Sequence, residues 1–279
     1  MLRRKYTVIH YELNGGLSVN KKDVKSTRDL SKYLSTINSQ DKLYHFTTFE
    51  SLLEIVYGKC LKLNNVNCLN DKKESYFSDN RNYYIFSMTG NQEYVSMWQM
   101  YGKPSGIKIR IDFPKSSLTR CFNKGNIYYY NKGDLVHFYS MTKPLFEIKD
   151  EPQLCELKDV VYLNKLTSEY NHKERPFVNI KFDEKDIREL AGCIKYSIWE
   201  FERETRLIVK PDGSKETSNP EGDLLIDSVF LKVDDMFIKD INVTFNPWIS
   251  GKMKDKLKLV LDDLGISSED SSYDGQIDI

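Results

Sequence analysis

The sequence predicts an α+β protein with a mixed or antiparallel sheet. Short segments that alternate apolar and polar residues, as strands do, are interspersed with segments whose apolar residues recur every three or four positions, as in helices. Their order lacks the regular strand–helix–strand rhythm of a parallel sheet. No G-x-G-x-x-G sequence follows a predicted strand, and no G-x-x-x-x-G-K-[ST] sequence occurs. A dinucleotide would therefore not bind as it does in doubly wound parallel folds.

The predicted strands are short runs rich in β-branched, aromatic or alternating residues, and many are bounded by turn residues. In chain order they are Lys5–Leu13, Lys42–Phe46, Cys60–Leu63, Tyr83–Met88, Ile107–Phe113, Asp159–Leu163, Arg206–Lys210, Phe230–Val233 and Ile238–Phe245.

The helix that follows Lys42–Phe46 has the clearest boundaries. Thr47 begins a capping box, in which the Glu50 side chain reaches back to the Thr47 amide, and Gly58 ends the helix. The other predicted helices are Ser26–Ile37, Asn91–Met100, residues 185–200 and Ser250–Leu264.

The chain of 279 residues contains no internal repeat and no long low-complexity linker. We therefore expect a single domain over residues 1–266, with its core at about 43–260. Residues 267–279 are acidic and polar, which predicts a disordered tail. Residues 116–156 fit no single element and are expected to mix strand with an insertion.

Composition excludes several classes of function. Lys+Arg and Asp+Glu are both 41, so the formal net charge is zero, which argues against a general nucleic-acid coat. The four histidines show no H-x-x-x-H spacing, so we expect no metal site, and nuclease-like chemistry is disfavoured. The longest apolar runs fall short of the roughly 20 residues that span a bilayer, and the first residues lack a signal-peptide core. The five scattered cysteines favour free thiols in a reducing cytoplasm.

The string Tyr44-His45-Phe46-Thr47 places a histidine at the end of a predicted strand, just before a capped helix. The imidazole there could bond a backbone carbonyl, which is a structural role, or a ribose hydroxyl with Thr47 nearby. The residues by themselves leave both roles open.

The string Trp98-Gln99-Met100-Tyr101-Gly102 places two aromatic rings three positions apart on a short helix. Such a pair packs into the core more often than not, but one of the rings could stack on a flat heterocycle. Gly102 and Gly106 would let the backbone approach a ligand closely.

Glu202, Glu204 and Arg206 alternate, and on a strand they would share one face. Such charges are usually solvated, yet apolar residues flank these three on both sides. Arg206 could hold one carboxylate by a bidentate contact. A carboxylate beside a leaving group stabilises an oxocarbenium-like sugar cation, and a second one could orient or deprotonate the nucleophile. Because glutamine is nearly isosteric, Glu204→Gln is expected to spare the fold.

The order of these strings resembles a bacterial domain family of uncharacterised function, whose members carry Y-H-[YF]-T, L-N-D, W-x-x-Y with a following glycine, and E-x-E-x-R. The resemblance covers about residues 43 to 260. Its matching strings include Tyr44–Thr47, Leu69–Asp71, Trp98–Gly102, Gly106–Ile107 and Glu202–Arg206. That family in turn is similar to the ADP-ribosyltransferase superfamily, in its PARP-like and DarT-like branches.

The resemblance implies a split, largely antiparallel sheet flanked by helices, and NAD as a substrate that binds without a metal. It implies that His45 holds the adenosine ribose and that Tyr101 or Trp98 stacks near the nicotinamide, with Thr47, Gly102 and Arg206 also lining the site. Glu204 would be the catalytic carboxylate and Glu202 its helper. These side chains are expected to border one pocket.

The function expected from this resemblance is an NAD-dependent ADP-ribosyltransferase or NAD-consuming effector of the cytoplasm, of the kind that serves as a toxin or anti-phage protein. The acceptor is open: protein, nucleic acid, small molecule or water. The alternative is a non-catalytic module that binds a nucleotide or a protein on the same fold.

Overall fold

The computed structural model describes residues 7–8, 41–69, 83–90, 93–101, 106–123, 127–129, 152–163, 178–179, 192–211 and 228–276. The strands in chain order are β1 (Thr7–Val8), β2 (Lys42–Thr48), β3 (Cys60–Asn65), β4 (Tyr84–Thr89), β5 (Lys108–Pro114), β6 (Ile127–Tyr129), β7 (Pro152–Asp159), β8 (Val161–Leu163), β9 (Val178–Asn179), β10 (Ile194–Tyr196), β11 (Glu204–Pro211), β12 (Ser228–Lys232), β13 (Asn242–Phe245) and β14 (Ser267–Asp270). The helices are α1 (Phe49–Gly58), α2 (Val95–Met100), α3 (Lys115–Asn123), α4 (Asp235–Asp240) and α5 (Gly251–Asp263), with 3₁₀ turns at Val66–Cys68 and Ser197–Glu202.

These elements form one α+β body around a mixed, mostly antiparallel sheet, as the sequence predicts. The main sheet has ten strands, in the order β14-β13-β5-β2-β4-β3-β12-β6, and β11 pairs with both β4 and β7. Within it only β13 and β14 are parallel. The short strands β8 and β10 form a separate parallel pair.

The two faces of the main sheet are covered differently. One face carries the main core, in which alternate strand residues such as Leu43, Phe86 and Leu207 pack against α1, α4 and α5. The other face carries a smaller cluster made by Phe46, Met97 and Trp98, with Tyr44, Tyr101 and Trp248 at its margin. The charged residues discussed below lie on this second face.

Strand β4 has one continuous edge and one divided edge. Its continuous edge pairs with β11 from Tyr84 to Thr89. On its other edge β2 pairs only at Thr89, and β3 pairs only at Tyr84 and Ile85. Residues 86–88 therefore lie between two diverging partners, and we call them the split edge of β4.

Helix α1 begins one residue later than predicted. Thr48, not Thr47, is the N-cap, and its hydroxyl accepts a hydrogen bond from the amide of Ser51 at 3.3 Å. Thr47 remains within β2, opposite Ile109. The strand and the helix thus meet without a linker, and the capping geometry, rather than the T-x-x-E pattern, sets the boundary.

Two predicted elements have the wrong type. The segment 192–200, predicted as the end of a helix, contains β10 and a 3₁₀ turn, and Gly192 has a left-handed φ of +75°. The segment Ile238–Phe245, predicted as one strand, begins in α4, which is capped by Asp234. At residues 192–200, pairing of β10 with β8 overrides the helical spacing of the apolar residues. At Ile238–Phe245, the Asp234 cap starts a helix where the apolar residues have the spacing of a strand.

The C-terminal segment is not the disordered tail that its composition predicts. Residues Ser267–Asp270 form β14 beside β13, and residues 271–276 continue into turns. Lys254 of α5 holds this segment through Asp270 at 3.3 Å and Asp274 at 2.5 Å. The predicted helix Ser26–Ile37 lies outside the described residues, as does most of the strand predicted at Lys5–Leu13.

Candidate active site

Five side chains from two distant segments, Tyr101 and residues 195–206, meet on the second face of the sheet. We call them the carboxylate cluster; its members are Tyr101, Lys195, Glu202, Glu204 and Arg206. Lys195 and both carboxylates are buried, and Arg206 is only 1% exposed. The structure therefore brings together the predicted Tyr101, Glu202, Glu204 and Arg206 through a lysine that the sequence analysis did not single out.

Glu204 and Arg206 form a two-point ion pair along their own strand. Arg206 Nε lies 2.7 Å from Glu204 Oε1, and Nη2 lies 2.9 Å from Oε2. The guanidinium is held in turn by the carbonyl oxygen of Gly192 at 2.8 Å. Residues two apart on a strand project to the same face, so β11 sets this contact directly.

Glu202 reaches the same cluster by a different route from the predicted one. It is the last residue of the 3₁₀ turn, not a strand residue, and Arg203 separates it from β11 with a left-handed φ of 42°. Its Oε1 accepts a hydrogen bond from the hydroxyl of Tyr101, and its Oε2 lies 2.5 Å from Lys195 Nζ. The kink at Arg203, rather than strand alternation, brings the two carboxylates together.

Lys195 joins the two carboxylates. Its Nζ lies 2.5 Å from Glu202 Oε2 and 3.2 Å from Glu204 Oε2, and it sits 5.2 Å from the centre of the Trp199 ring. The cluster contains two carboxylates and two cations, so its formal charge is balanced. Burial alone would raise the pKa of Glu204, but Arg206 and Lys195 lower it to about 2, which keeps this carboxylate ionised.

His45 of β2 contacts the split edge of β4. Its Nδ1 lies 2.8 Å from the carbonyl oxygen of Ser87, and its ring lies 4.4 Å from that of Phe86, which belongs to the main core. The hydroxyl of Ser87 also bonds Glu204. By strand alternation His45 and Thr47 project to the main-core face, opposite to Glu204, so His45 reaches the cluster only through Ser87. The expectation that His45 and Glu204 border one pocket is therefore wrong.

The two predicted aromatic residues have different environments. Trp98 is 1% exposed, packs edge-on against Phe46 at 4.8 Å, and donates from Nε1 to Glu93 at 3.0 Å, so its ring is a core element. Tyr101, which follows the end of α2, is half-buried and contacts Glu202. Gly102 lies outside the described residues.

Gly106 is needed for packing inside the protein. A Cβ placed on it would come within 2.7 Å of the Thr48 methyl group, which is part of the buried cap of α1. Glycine at residue 106 is thus explained by the space that Thr48 needs, and this explanation requires no ligand.

Apolar side chains lie beside the cluster on the 3₁₀ turn. Ile198 is 60% exposed and Phe201 is 38% exposed, while Trp199 is half-buried with its ring 6.2 Å from that of Phe201. Ile198 and Phe201 belong to the apolar pattern that predicted a helix near residues 185–200, and the structure places both side chains at the surface. The exposed Phe201 ring can stack against a flat or cationic group that arrives from solvent.

Sequence reasoning missed Lys195 and Ser87. The available signal was a single lysine within the apolar run Cys193-Ile194-Lys195-Tyr196, next to a carboxylate pair that needs cations if it is buried. Ser87 carries no pattern, because its two contacts depend on β4 lying between β2 and β11.

Among the described residues, no group of three or more His, Cys, Asp or Glu side chains is placed to hold a metal ion. Cys60 and Cys193 are buried free thiols. In the part of the chain that the structure describes, no helix is long and apolar enough to cross a membrane.

No protein-family model, no curated protein and no solved structure matches this chain. A function for this chain can therefore be inferred only from its own sequence motifs and from the geometry of the carboxylate cluster.

Proposed function

We propose that the protein is an NAD-dependent ADP-ribosyltransferase or NAD-consuming enzyme whose active site is the carboxylate cluster. The observation that carries the proposal is the meeting of Tyr101 with Glu202 across 101 residues of sequence, in one buried cluster with Lys195, Glu204 and Arg206. Apart from Lys195, these are residues that the resemblance to the superfamily assigns to the site. The divergence of β2 and β4 after a single residue pair supports the split sheet that the same resemblance implies.

The chemistry requires a negative charge beside a developing sugar cation. When the bond between ribose and nicotinamide breaks, nicotinamide leaves as a neutral molecule with the bonding electron pair, and positive charge develops on the ribose. An ionised, buried carboxylate stabilises that charge, because the low dielectric strengthens the interaction. An acceptor oxygen or nitrogen then bonds the sugar carbon and loses one proton to solvent. The products are the ADP-ribosylated acceptor, nicotinamide and one proton.

The proposed context follows the same resemblance. A bacterial toxin or anti-phage effector in the cytoplasm would act on a protein, a nucleic acid, a small molecule or water as the acceptor. His45 would contribute indirectly, since it bonds the carbonyl of Ser87, whose hydroxyl bonds Glu204.

One observation favours the second candidate, a non-catalytic nucleotide- or protein-binding module. The cluster is charge-balanced, and each carboxylate oxygen of Glu202 and Glu204 already has a partner. Such a closed network can serve purely to fix the fold.

The test is release of nicotinamide from NAD labelled in that ring, in the presence of EDTA, with calorimetry to detect binding. We compare wild type, Glu202→Gln, Glu204→Gln and Asp112→Asn. Asp112 is a matched control because it is a buried carboxylate on the same face, held by Arg110 at 2.8 Å two residues away on its own strand.

We expect at least one of the two glutamate variants to lose about 100-fold to 1,000-fold in rate, while Asp112→Asn keeps the wild-type rate. An equal loss in Asp112→Asn would assign the effect to stability instead of chemistry. Binding of NAD without turnover by wild type would support the non-catalytic module. Neither binding nor turnover at millimolar NAD would contradict the proposed function.

A further inference from the structure

We infer that Glu202, rather than Glu204, is the carboxylate that meets the substrate, and that Lys195 positions it by joining it to the fixed Glu204–Arg206 pair. This inference rests on the proposed function and reverses the roles that the resemblance implies for the two glutamates. It adds Lys195 as a positioning residue.

Glu204 cannot turn toward a ligand without breaking a built network. Both of its oxygens are taken by the guanidinium of Arg206, at 2.7 and 2.9 Å. Arg206 is anchored to the carbonyl of Gly192 at 2.8 Å and is 1% exposed. A two-point contact fixes the plane of a carboxylate as well as its position. Glu204 is therefore suited to hold other groups in place.

Among the residues that the structure describes, no guanidinium group contacts Glu202, in contrast to Glu204. Its Oε1 accepts from the hydroxyl of Tyr101, a half-buried residue from another segment, and its Oε2 faces Lys195. A sugar hydroxyl has the same donor chemistry as a tyrosine hydroxyl, so it can replace the Tyr101 contact without leaving Glu202 unpaired. Glu202 also ends the 3₁₀ turn that carries the exposed side chains of Ile198 and Phe201, whereas Glu204 lies within β11.

Lys195 transmits the fixed position of Glu204 to Glu202. An ammonium group has three donors, and Lys195 directs contacts to Glu202 at 2.5 Å and to Glu204 at 3.2 Å. Glu202 lies at the end of a 3₁₀ turn, outside any strand, and precedes Arg203 with its left-handed φ. Its backbone alone therefore does not fix the position of the carboxylate. Without Lys195, two neighbouring carboxylates would repel each other and Glu202 would move.

The experiment is steady-state kinetics of nicotinamide release for Lys195→Gln, Lys195→Arg, Glu202→Gln, Glu204→Gln and the control Asp112→Asn, with a thermal melt on each variant. Glu202→Gln should lose about 100-fold to 1,000-fold in kcat. Lys195→Gln should lose about 100-fold in kcat with KM nearly unchanged, because a small misplacement of a catalytic group costs that much. Lys195→Arg should recover most of that loss, since it restores a cation, and the control variant Asp112→Asn should keep kcat.

Glu204→Gln should lose less than Glu202→Gln, and combining it with Lys195→Gln should add little, because both act through the same carboxylate. A larger loss at Glu204 than at Glu202, or a Lys195→Gln protein with the wild-type kcat, would overturn the inference while leaving the proposed function intact. If the Lys195 variants fail to fold, the order of the two glutamate variants decides. Absence of turnover by wild type would overturn both.

Discussion

His45 donates a hydrogen bond from Nδ1 to the carbonyl oxygen of Ser87, 2.8 Å away, at the point where β2 and β4 diverge. A carbonyl can only accept, so this imidazole carries its proton on Nδ1 and leaves Nε2 as an acceptor. The contact supplies a partner to a strand carbonyl that has none from β2. The histidine thus stabilises the split edge of β4, and the Ser87 hydroxyl links that edge to Glu204.

The environment of His45 predicts a stability change in mild acid. Burial lowers the pKa of His45 to about 4, although its bond to Ser87 acts in the opposite direction. The unfolded chain takes up a proton near pH 6.5 that the folded protein accepts only near pH 4. The contribution of His45 is therefore complete above about pH 6.5 and falls by up to roughly 3 kcal/mol as the pH drops toward 4.

Urea unfolding at about pH 7 and about pH 5 measures this loss. His45→Asn is the matched variant, because its amide can donate from nearly the same position but does not titrate. An equal loss of stability in His45→Asn and in wild type would assign the acid sensitivity to another group.

The burial of Glu204 changes what we expect from Glu204→Gln. Removing its charge leaves Arg206 and Lys195 with Glu202 as their remaining carboxylate in the cluster, and breaking a buried ion pair costs about 3–5 kcal/mol. Asp112→Asn should cost less, because Arg110 keeps Glu269 as a partner at 3.1 Å. Burial also raises the pKa of Asp112, so the fold gains less from its charge.

Denaturant unfolding at neutral pH compares the two variants. Equal or reversed losses of stability would mean that Lys195 adds nothing to the Glu204–Arg206 pair. Activity assays on Glu204→Gln accordingly belong at a temperature where its melt shows a folded protein.

The N-cap of α1 separates two neighbouring threonines. Thr48→Ala should cost about 1 kcal/mol, because it removes the acceptor for the Ser51 amide. Thr47→Ala, one residue earlier in β2, removes no cap and should cost less. Thermal melts of the two variants measure the difference, and a larger loss for Thr47→Ala would restore the capping box that the T-x-x-E pattern predicts.

Glu93 connects the C-terminal segment to α2. It accepts from Trp98 Nε1, from the hydroxyl groups of Ser271 and Ser272, and from the amide of Ser272 at 2.9 Å. Burial would raise the pKa of Glu93, but these hydrogen bonds lower it below the ordinary range. Hydrogen bonds to a charged group contribute about 1.5–3 kcal/mol, so Glu93→Gln should loosen residues 271–276.

Hydrogen exchange resolved by mass spectrometry detects that loosening as faster exchange in residues 271–276. Asp255→Asn, an exposed change on α5, serves as the control. Unchanged protection of this segment in Glu93→Gln would show that Lys254, through Asp270 and Asp274, holds it alone.

The sequence by itself determined the fold class, most strand positions and helix α5, because these depend on local periodicity and on turn residues. It also placed Tyr101, Glu202, Glu204 and Arg206 among the candidate site residues, from their chemistry together with the resemblance to a known family. It failed where two local patterns compete, as at residues 192–200, and where a distant partner decides, as at β14, whose acidic composition conceals pairing with β13.

Only the tertiary structure decided how the candidate residues are divided. The face on which a residue lies depends on strand register, so alternation sends His45 to the main core and Glu204 to the opposite face. Lys195 enters the site because β10 and the 3₁₀ turn bring it within 2.5 Å of Glu202, a contact that no local pattern encodes. Burial then requires that the two carboxylates be neutralised. Lys195 and Arg206 do this from nearby positions in the sequence, but the burial that makes these cations necessary is decided by tertiary packing.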